Sequence, residues 1–402
     1  MPKSKIHVGL EIGTSEVRIL VGEAKPDGSV IILGSGSSKS AGVRKGEIND
    51  YVNAYECVKD ARIKAEDACN VNIGHVFLAV TGKHISGENH SGPCRLQDHE
   101  KQIREDHIRE AQDIAKHPQI PAGYIYIHQI LRNYKVDDFE HSTSPLGLFG
   151  RQLVANYHVV KGIGSRIHNS IRCIRELQME CSDAVFTPIA IAQYALDRAT
   201  RERGALLIDI GGGTTEYVLY LDGIIQACGC LPIGGEHITN DIQYFTELSF
   251  SRAENLKTSE GDASGDKSRS LGTIKVPVDQ NGFAQQEISR EALNEVIRMR
   301  ITEIFELVKN SLPPNSLSRI GTGVYLSGGS SLMRGLDELA YEIFGCNVFR
   351  ANADQILGTQ ESFNHPKFAT CLGLIRYAQL VDLEQQKAPK WKLPWPFGRR
   401  RS

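Results

Sequence analysis

Two glycine-rich turns of similar design constrain this chain more than any other feature of its sequence. The first follows Glu11, in a run over 6–21 that reads as strand, tight turn and strand, and the second follows Asp209, in the same order over 205–220. In each run the carboxylate lies two residues before the first turn glycine, and hydroxyl residues come after it. About half of the 402-residue chain separates the two carboxylates, so duplication of a whole domain is the simplest account.

Turns of this kind are suited to binding phosphate. Glycines let backbone N–H groups approach an anion closely, hydroxyls add further donors, and a carboxylate at a strand end can hold hydrated Mg²⁺. One such hairpin alone is also typical of an ordinary β-turn, but two in tandem halves predict a clamp around a nucleoside triphosphate. Neither is a Walker A or a Rossmann motif, because no G-x-x-x-x-G-K-[ST] occurs and the glycines lead into a strand.

A third glycine site lies downstream of both hairpins. Residues 323–344 read as a strand, a Ser-Gly-Gly turn and a helix. A helix that begins after glycines can face a phosphate or a nucleoside, although such loops also commonly join a strand to a helix. Its position after the two hairpins makes it a candidate for the nucleoside side of the same site.

The formal charge is divided unevenly along the chain. Residues 385–402 carry six cations and no acid, whereas the rest of the chain has a formal charge of −8, which gives the net charge of −2. An acidic body is poorly suited to nonspecific nucleic-acid binding, so no nucleic-acid partner is expected. The basic tail also holds both tryptophans of the chain, which suits contact with an anionic surface at one end.

The cysteines and the apolar runs indicate a compartment. The nine cysteines lack the spacing of a zinc site and predict reduced thiols in a cytosolic protein. No apolar leader opens the chain and no run of eighteen apolar residues occurs. Any membrane contact is therefore expected to be peripheral and on the cytoplasmic side.

The three glycine sites, in this order, resemble the ATPase superfamily of actin, Hsp70 and the sugar kinases. The segments 80–86 (Val-Thr-Gly-Lys-His-Ile-Ser) and 42–49 (Gly-Val-Arg-Lys-Gly-Glu-Ile-Asn) are similar to signatures of FtsA, a family of bacterial cell-division actin homologues. The resemblance covers residues 5–380. It implies an α/β fold, namely an actin-like two-lobed ATPase of duplicated ribonuclease-H-like domains with an inserted α+β subdomain, 1C, of SHS2 type.

The resemblance also divides the chain into subdomains. The expected parts are 1A at 1–83 and 163–200, 1C at 84–162, 2A at 201–238 and 320–381, 2B at 239–319, and a linker with a basic aromatic membrane-targeting tail at 382–402. The sequence itself predicts local elements within these parts. They are a helix over 98–116, β-rich runs over 124–137 and 153–160, a loop over 138–150, a mobile loop over 259–266 and an amphipathic helix over 289–312.

The resemblance implies that ATP and Mg²⁺ bind between the lobes. Glu11 and Asp209 would face the metal and the γ-phosphate, with a buried structural carboxylate as the alternative for each. The residues expected at the phosphates are Gly13, Thr14 and Ser15 in the first turn and Gly211, Gly212, Gly213, Thr214 and Thr215 in the second. The residues expected at the ribose and adenine are Gly234, Gly235, Glu254, Lys257, Gly328, Gly329 and Ser330. Glu216 has no assigned role.

Three of these assignments have open alternatives. Glu254 and Lys257 match the Glu-x-x-Lys of the superfamily, but their spacing also suits a surface ion pair. Gln193 and Asp209 are the expected catalytic residues. Gln193 occupies the position where actin carries a Gln that orients the attacking water, which fits slow or polymer-linked hydrolysis. A plain helix-surface Gln is the alternative. Arg298 and Arg300 are candidates for contact with the acidic tail of the tubulin-like FtsZ, or else solvated surface charges.

The implied function is that of a divisome protein. It would polymerise, tether the FtsZ ring to the cytoplasmic face of the inner membrane at the septum, and recruit later divisome proteins through 84–162. A pilus-assembly actin homologue of the PilM type and a small-molecule kinase of the same superfamily are the alternatives.

The tail departs from the amphipathic helix that usually ends the family. Pro394 and Pro396 are incompatible with a regular helix there, and apolar residues at every second position suit an extended strip. The residues expected to contact anionic inner-membrane lipids are Trp391, Lys392, Leu393, Trp395, Phe397, Arg399, Arg400 and Arg401.

Overall fold

The computed structural model describes residues 5–25, 29–96, 102–141, 144–276, 286–351, 363 and 365–387. The strands are β1 Lys5–Ile12, β2 Glu16–Ala24, β3 Val30–Lys39, β4 Val43–Arg44, β5 Glu47–Ile48, β6 His75–Val80, β7 Ser86–Arg95, β8 Tyr124–Val136, β9 Phe139–His141, β10 Gln152–Ile163, β11 Glu180–Phe186, β12 Ala205–Ile210, β13 Thr215–Leu221, β14 Ile224–Leu231, β15 Thr273–Val276, β16 Gln286–Ser289, β17 Gly323–Ser327 and β18 Val348–Arg350. The α-helices are α1 Tyr51–Cys69, α2 Glu105–Lys116, α3 Gly164–Glu176, α4 Thr187–Ala195, α5 Arg198–Arg203, α6 Gly235–Thr246, α7 Phe250–Glu260, α8 Arg290–Asn310, α9 Leu336–Phe344 and α10 Ala369–Lys387.

The two halves of the chain repeat one sheet topology. In the first lobe the strand order is β11-β6-β1-β2-β3, in which β1, β2 and β3 form an antiparallel meander and β6 and β11 run parallel to β1. In the second lobe β12, β13 and β14 form the same meander, and β17 and β18 take the places of β6 and β11. The predicted duplication is therefore confirmed in the strand order itself.

The buried apolar residues form two main clusters, one centred on each lobe, and the first also includes residues of the second lobe such as Leu207 and Val218. The first core forms around β1, β2 and β6 and includes Leu10, Leu20 and Phe186, all fully buried. The second forms around β12, β17 and α8 and includes Phe305, which packs edge-on against Phe344 with 5.4 Å between the ring centroids. Strand residues alternate between two faces, and both faces of the central strands are covered, since every residue of β12 and β13 is buried and Phe77 of β6 packs in a separate cluster with Leu374 of α10.

The insert is a smaller α+β unit that extends the sheet of the second lobe. Strands β7, β10, β8 and β9 follow β14 in the nine-stranded sheet, and α2 packs on this layer around a core of its own. The junction of β14 with β7 is the single pair Gly229 and Ser86. Gly92 permits the close packing of α2 on β7, since a Cβ there would lie 2.0 Å from the carbonyl oxygen of Ala111.

The predicted amphipathic helix over 289–312 is confirmed as α8. The Ser289 hydroxyl accepts a hydrogen bond from the N–H of Ala292 at 3.3 Å and caps the helix at its N-terminus. The apolar stripe faces the core, where Leu293, Ile297, Ile301, Ile304, Phe305 and Val308 are buried. Asn294 is also buried, where its Oδ1 accepts the N–H of Asp262 at 3.1 Å.

Four local predictions differ from the structure. The helix of the insert begins at Glu105, the predicted loop over 138–150 contains β9, and the helix of the third glycine site begins only at Leu336, after a 3-10 turn over Gly329–Leu332. The segment 259–266 was predicted to be mobile from its polar composition. That prediction is wrong, because Asp262, Ala263 and Ser264 are buried and the Ala263 N–H donates to the Arg334 carbonyl at 2.8 Å.

The last described helix is longer at its C-terminus than expected. Helix α10 runs to Lys387, so residues 382–387 are helical and do not form a linker. Asp382 forms an ion pair with Lys5 at 3.0 Å, which joins this end of α10 to β1. The predicted membrane residues 391–401 lie outside the described residues.

Candidate functional site

A cleft lies between the lobes, where the turn joining β1 to β2 faces the turn joining β12 to β13. The turns are in contact, since a Cβ on Gly212 would lie 2.2 Å from Ser15 Oγ and one on Gly213 would lie 2.5 Å from Thr14 Oγ1. The cleft residues include many of the sequence candidates. They are Glu11, Gly13, Thr14, Ser15, Asp209, Gly211, Gly212, Gly213, Thr214, Gly328 and Gly329, joined by Arg18, Gly46, Thr81, Glu216, Lys367 and Thr370, which the sequence did not indicate.

The first turn carries a carboxylate that is already paired with a cation. The Gly13 N–H donates to the Glu16 carbonyl at 3.1 Å, which closes the turn. Glu11 lies directly opposite Arg18 across the β1–β2 ladder, and the Arg18 guanidinium lies 3.4 Å from Glu11 Oε2 and 2.8 Å from Glu16 Oε2. Burial raises the pKa of Glu11, and the charge of Arg18 offsets part of that rise.

The second turn carries a carboxylate that forms no ion pair with the described residues. Asp209 is 6% exposed, and within the described part of the chain its Oδ1 atom is buried without a hydrogen-bond partner. Burial and the neighbouring Glu11 carboxylate raise the pKa of Asp209 to about 7. An oxygen in this state is a ready ligand for a hard cation, because such a cation would remove the cost of burying the charge.

The glycines of the second turn are backed by a helix. The carbonyl groups of Gly211 and Gly212 accept the N–H groups of Gly235 and Glu236, each at 2.8 Å. Helix α6 thereby fixes the turn, and Gly234 allows this approach because a Cβ there would lie 2.6 Å from the Gly211 carbonyl oxygen. The carbonyl groups of the turn are thus hydrogen-bonded to the N-terminus of α6.

Glu216, which had no assigned role, lines the cleft. It stands opposite Asp209 in the β12–β13 ladder, is 2% exposed and accepts a hydrogen bond from the Thr81 hydroxyl of the first lobe. Burial and the charge of Asp209 raise the pKa of Glu216 well above its ordinary value. The hairpin register was the available signal, because residues opposite each other in an antiparallel pair share one face.

Thr215 does not belong to the cleft. It is fully buried, and its hydroxyl donates to the Ile233 carbonyl at 2.8 Å on the other face of β13. Strand alternation is the physical reason, since Thr214 and Glu216 point into the cleft and the residue between them must point away. Thr215 therefore anchors β13 and is not placed to contact a phosphate.

The residues assigned to the nucleoside meet beside the N-terminus of α6. Lys257 is buried on α7, and its Nζ donates to the Gly235 carbonyl at 3.1 Å and pairs with Glu254 at 2.7 Å. A Cβ on Gly235 would lie 2.5 Å from Ser330 Oγ, so the third glycine site lies at the same place. Burial lowers the pKa of Lys257. The pair is therefore not the exposed ion pair that the spacing alone would suggest.

Gln193 is not brought into the cleft. Its amide Nε2 donates to the Ile189 carbonyl at 3.1 Å, and its Oε1 accepts from Arg201 at 3.2 Å. It does not line the cleft with the two turns. The expected role in orienting water has no support in this geometry, because the helix and Arg201 already hold the amide.

Arg298 and Arg300 lie on α8, away from the cleft, and both are engaged within the chain. Arg298 donates to the Ala263 carbonyl at 2.9 Å and to Glu342 at 2.5 Å. Arg300 forms two hydrogen bonds with Asp241, at 2.5 and 2.9 Å. A partner that bound these arginines would have to compete with these carboxylates.

The donor set limits what the cleft could hold. Within the described ranges, no group of three or more His, Cys, Asp or Glu side chains is arranged to hold a metal ion by itself. One or two carboxylates beside a phosphate site nevertheless suit Mg²⁺, which usually keeps several waters and takes its remaining ligands from substrate phosphates. Glu11 and the unpaired oxygen of Asp209 are the residues that fit this ion.

Comparison with known families identifies two segments of the chain. A family described as "Cell division protein FtsA" matches residues 206–373, and one described as "SHS2 domain inserted in FTSA" matches residues 82–161. The chain is also 32% identical over 374 residues to the cell division protein FtsA of Pseudomonas aeruginosa, a match that covers 93% of this chain and 89% of that protein.

Solved structures share the fold at low identity. The PilM-PilN type IV pilus biogenesis complex matches with a TM-score of 0.65 at 17% identity, covering 93% of this chain and 98% of that chain. MreB5 of Spiroplasma citri bound to ADP matches with a TM-score of 0.59 at 16% identity, covering 96% and 100%. These matches confirm the predicted actin-like α/β fold with its SHS2 insert. In the part of the chain that the structure describes, no helix is long and apolar enough to cross a membrane.

Proposed function

This chain belongs to the FtsA family of cell division proteins, and we propose that it binds ATP and Mg²⁺ between its lobes and links FtsZ polymers to the cytoplasmic membrane. The observation that carries the nucleotide part is the pair of glycine turns in contact across one cleft, beside the buried and unpaired carboxylate oxygen of Asp209. The shared fold of MreB5, which was solved with ADP bound, supports the same proposal.

The residues of the two turns would hold the phosphates. The hydroxyls of Thr14, Ser15 and Thr214 would donate to phosphate oxygens, together with backbone N–H groups of the turn glycines. Bound Mg²⁺ would supply positive charge beside the phosphates, and Asp209 and Glu11 would orient it. Gly328, Gly329 and the buried Lys257 would enclose the nucleoside from the second lobe.

Hydrolysis is proposed to be slow or linked to polymerisation. Asp209 and Gln193 were the candidates for the chemistry, but Gln193 is held by its own helix and by Arg201. If Asp209 also orients the metal ion, its remaining contribution to hydrolysis would be to position the attacking water. ATP would therefore act mainly as a ligand that joins the lobes and favours self-association into filaments.

The contact with the acidic FtsZ tail is proposed to lie on α8. Met299 is 65% exposed between Arg298 and Arg300, so the helix presents an apolar side chain flanked by two cations. An acidic and apolar peptide would match this pattern and would replace Glu342 and Asp241 as the partner of the arginines. Later divisome proteins are proposed to bind the insert at 84–162.

The membrane contact is proposed to be peripheral, through the tail at the septal inner membrane. Six cations could each contribute about 1 kcal/mol on an anionic leaflet, and Trp391 and Trp395 would lie at the headgroup level. Polymerisation would strengthen this binding by avidity.

Sedimentation with anionic liposomes and FtsZ tests the proposal. The full-length protein should pellet with liposomes and carry FtsZ with it, and a version truncated at Lys387 should leave both in the supernatant. A full-length protein that neither binds liposomes nor recruits FtsZ would refute the tethering function. Such a result would favour another role for the fold, such as a PilM-type adaptor or a small-molecule kinase.

A double substitution separates the aromatic contribution from the charge. Trp391→Ala with Trp395→Ala should release the protein from liposomes, whereas Trp391→Phe with Trp395→Phe should retain most binding, because an aromatic ring remains at each position. Unchanged binding of the alanine variant would place the anchor elsewhere in the chain.

A further inference from the structure

The segment 42–49 forms a small hairpin, β4–β5, beside the cleft. Its turn residues Lys45 (φ 51°) and Gly46 (φ 74°) both adopt left-handed backbone conformations, as a type I′ turn requires. The Gly42 carbonyl accepts the N–H of Asn49 at 2.9 Å and closes the base of the hairpin. Residues Lys45 and Gly46 therefore form a two-residue turn at the tip of the hairpin.

The tip contacts both phosphate turns. The N–H of Gly46 donates to Thr14 Oγ1 of the first turn at 3.0 Å. A Cβ on Gly213 of the second turn would lie only 2.9 Å from the Cα of Lys45. A Cβ on Gly46 would lie 2.5 Å from Thr81 Cγ2, so the tip also fills the space beside Thr81. The hairpin thus stands at the junction of the two lobes.

The hydroxyl of Thr14 can serve the hairpin and a phosphate at the same time. A hydroxyl has one proton to donate and two lone pairs that accept. One lone pair is taken by the Gly46 N–H, which leaves the proton free to turn towards an anion between the two turns. A phosphate that accepts a hydrogen bond from this hydroxyl makes the Thr14 oxygen a stronger acceptor for the Gly46 N–H, because hydrogen bonds in a chain polarise one another.

The base of the hairpin is attached to both ends of the insert. The Arg166 guanidinium donates to both carboxylate oxygens of Glu47, each at 2.6 Å, just after the insert. Before the insert, a Cβ on Gly82 would lie 3.1 Å from Glu47 Oε1. His84 Nδ1 accepts the N–H of Ile163 at 3.0 Å and joins the two ends. A shift of the hairpin would therefore displace the residues around Gly82 and Arg166, where the chain enters and leaves the insert.

We propose that the β4–β5 hairpin detects the terminal phosphate of a nucleoside triphosphate through Thr14 and transmits its presence to the insert through Glu47. A bound triphosphate strengthens the hydrogen bond from the Gly46 N–H to Thr14 and keeps the tip against Gly213. A diphosphate lacks the terminal phosphate and leaves these contacts weaker. The inference rests on the proposed binding of ATP in the cleft. It gives the insert, a proposed partner surface, a way to respond to the nucleotide.

Hydrogen exchange on the full-length protein tests the proposal. The probes are Mg²⁺ with ADP and Mg²⁺ with a non-hydrolysable triphosphate, AMPPNP, each at a saturating concentration established by equilibrium dialysis. The triphosphate should slow exchange over 42–49 by about tenfold more than ADP does, since the hairpin opens less often. Equal protection by both nucleotides, with both protecting 211–215, would overturn the inference. Failure of both to bind would instead overturn the proposed function.

Substitutions at Thr14 and Gly46 examine the contact itself. Thr14→Val should abolish the difference between the nucleotides over 42–49, and Thr14→Ser, which restores the hydroxyl, should recover it. Gly46→Ala should also abolish it, because the new Cβ displaces the tip while Thr14 stays intact. Thr322→Val is a matched control outside the cleft and should respond like the wild type. A normal response in Thr14→Val or Gly46→Ala would contradict the inference.

Glu47→Gln examines the transmission. In the wild type the triphosphate should also slow exchange over 82–86 more than ADP does, because Gly82 lies against Glu47. Glu47→Gln weakens the ion pair with Arg166 and leaves the tip unchanged, so the response over 42–49 should remain while the response over 82–86 is lost. Retention of the response over 82–86 would show that Glu47 does not carry it.

Discussion

The two glycine hairpins have the same shape but opposite electrostatics. In each, the residue opposite the turn carboxylate in the antiparallel ladder lies on the following strand. That residue is Arg18 opposite Glu11 and Glu216 opposite Asp209. The first hairpin therefore pairs its carboxylate with a cation of the chain, whereas the second places two buried acids side by side. The two turns thus differ in how their carboxylates are balanced. Glu11 is paired with Arg18, whereas Asp209 depends on a cation that the turn does not supply.

The difference has consequences for ligand binding and for stability. A cation such as Mg²⁺ gains more beside an unpaired buried carboxylate than beside one already paired with arginine. Without a ligand, the second hairpin should lower the stability of the folded state, as functional sites often do. The four predictions that follow alter one hairpin and leave the other as its reference.

Neutralising the second carboxylate should have the largest effect. Asp209→Asn should weaken the binding of Mg²⁺·ATP by about a hundredfold and Glu11→Gln by about tenfold, because only Asp209 lacks a protein cation and depends on the ion. Titration calorimetry in the presence of Mg²⁺ measures both dissociation constants. A loss in Glu11→Gln as large as that in Asp209→Asn would show that the two hairpins are electrostatically equivalent.

Removing the cation from the first hairpin should make it resemble the second. Arg18→Leu should lower the free energy of unfolding by about 2 kcal/mol, because Glu11 and Glu16 lose their partner in a partly buried site. Urea unfolding without nucleotide measures this change. Arg18→Lys, which keeps the charge, should lose less, and adding Glu11→Leu to Arg18→Leu should restore part of the stability. No recovery in the double variant would contradict the proposed pairing.

The pH dependence of stability should follow Asp209. Its pKa is about 7 in the folded protein and 3.8 as a reference value, so between these values the folded state binds the additional proton. The free energy of unfolding should therefore fall as pH rises from 5 to 7 and level off above that, with Asp209 contributing about 1 kcal/mol per pH unit. Urea unfolding at several pH values should show a flatter profile for Asp209→Asn. An identical profile would mean that Asp209 does not titrate in this range.

The smallest effect is expected at Thr215, which the sequence grouped with the phosphate residues. Thr215→Val removes one buried hydrogen bond to Ile233 and should cost about 1 kcal/mol or less. The affinity for Mg²⁺·ATP should be unchanged, in contrast to Thr14→Val in the first turn. Thermal unfolding measures the change in stability, and nucleotide titration measures the affinity for Mg²⁺·ATP. A clear loss of affinity in Thr215→Val would show that Thr215 contributes to nucleotide binding.

Much of the fold follows from local patterns in the sequence. The glycine turns, the strands that flank them and the helix α8 with its Ser289 cap are encoded by residues close together in the chain, and the structure confirms them. The boundaries at Glu105, Leu336 and Lys387 were misjudged, because helix ends depend on capping and on tertiary contacts as well as on composition. Residues 261–264 show the same effect within the segment that was predicted to be mobile, since polar residues can be buried when their hydrogen bonds are satisfied.

The candidate site was predictable only in part. The turn glycines, Glu11 and Asp209 were identified because chemistry and spacing coincide in two places. Thr81, Gly46 and Lys367 were not assigned to the cleft, because they reach it from distant segments. Thr81 and Gly46 lie in segments that resemble family signatures, but the sequence alone does not place those segments beside the two turns. Gln193 was assigned by analogy of position, and the side-chain contacts with Ile189 and Arg201 hold it elsewhere.

The sequence by itself determined that this chain has two halves, each with a glycine turn after a carboxylate, because backbone conformation at glycine and strand periodicity are local properties. Only the tertiary structure decided which carboxylate is neutralised, which threonine faces the cleft and which segments complete it. Those outcomes depend on register, on burial and on the approach of residues such as Thr81 and Glu216, which are 135 positions apart. Electrostatic balance in a buried site is a property of the assembled neighbours, and no single segment of the chain contains it.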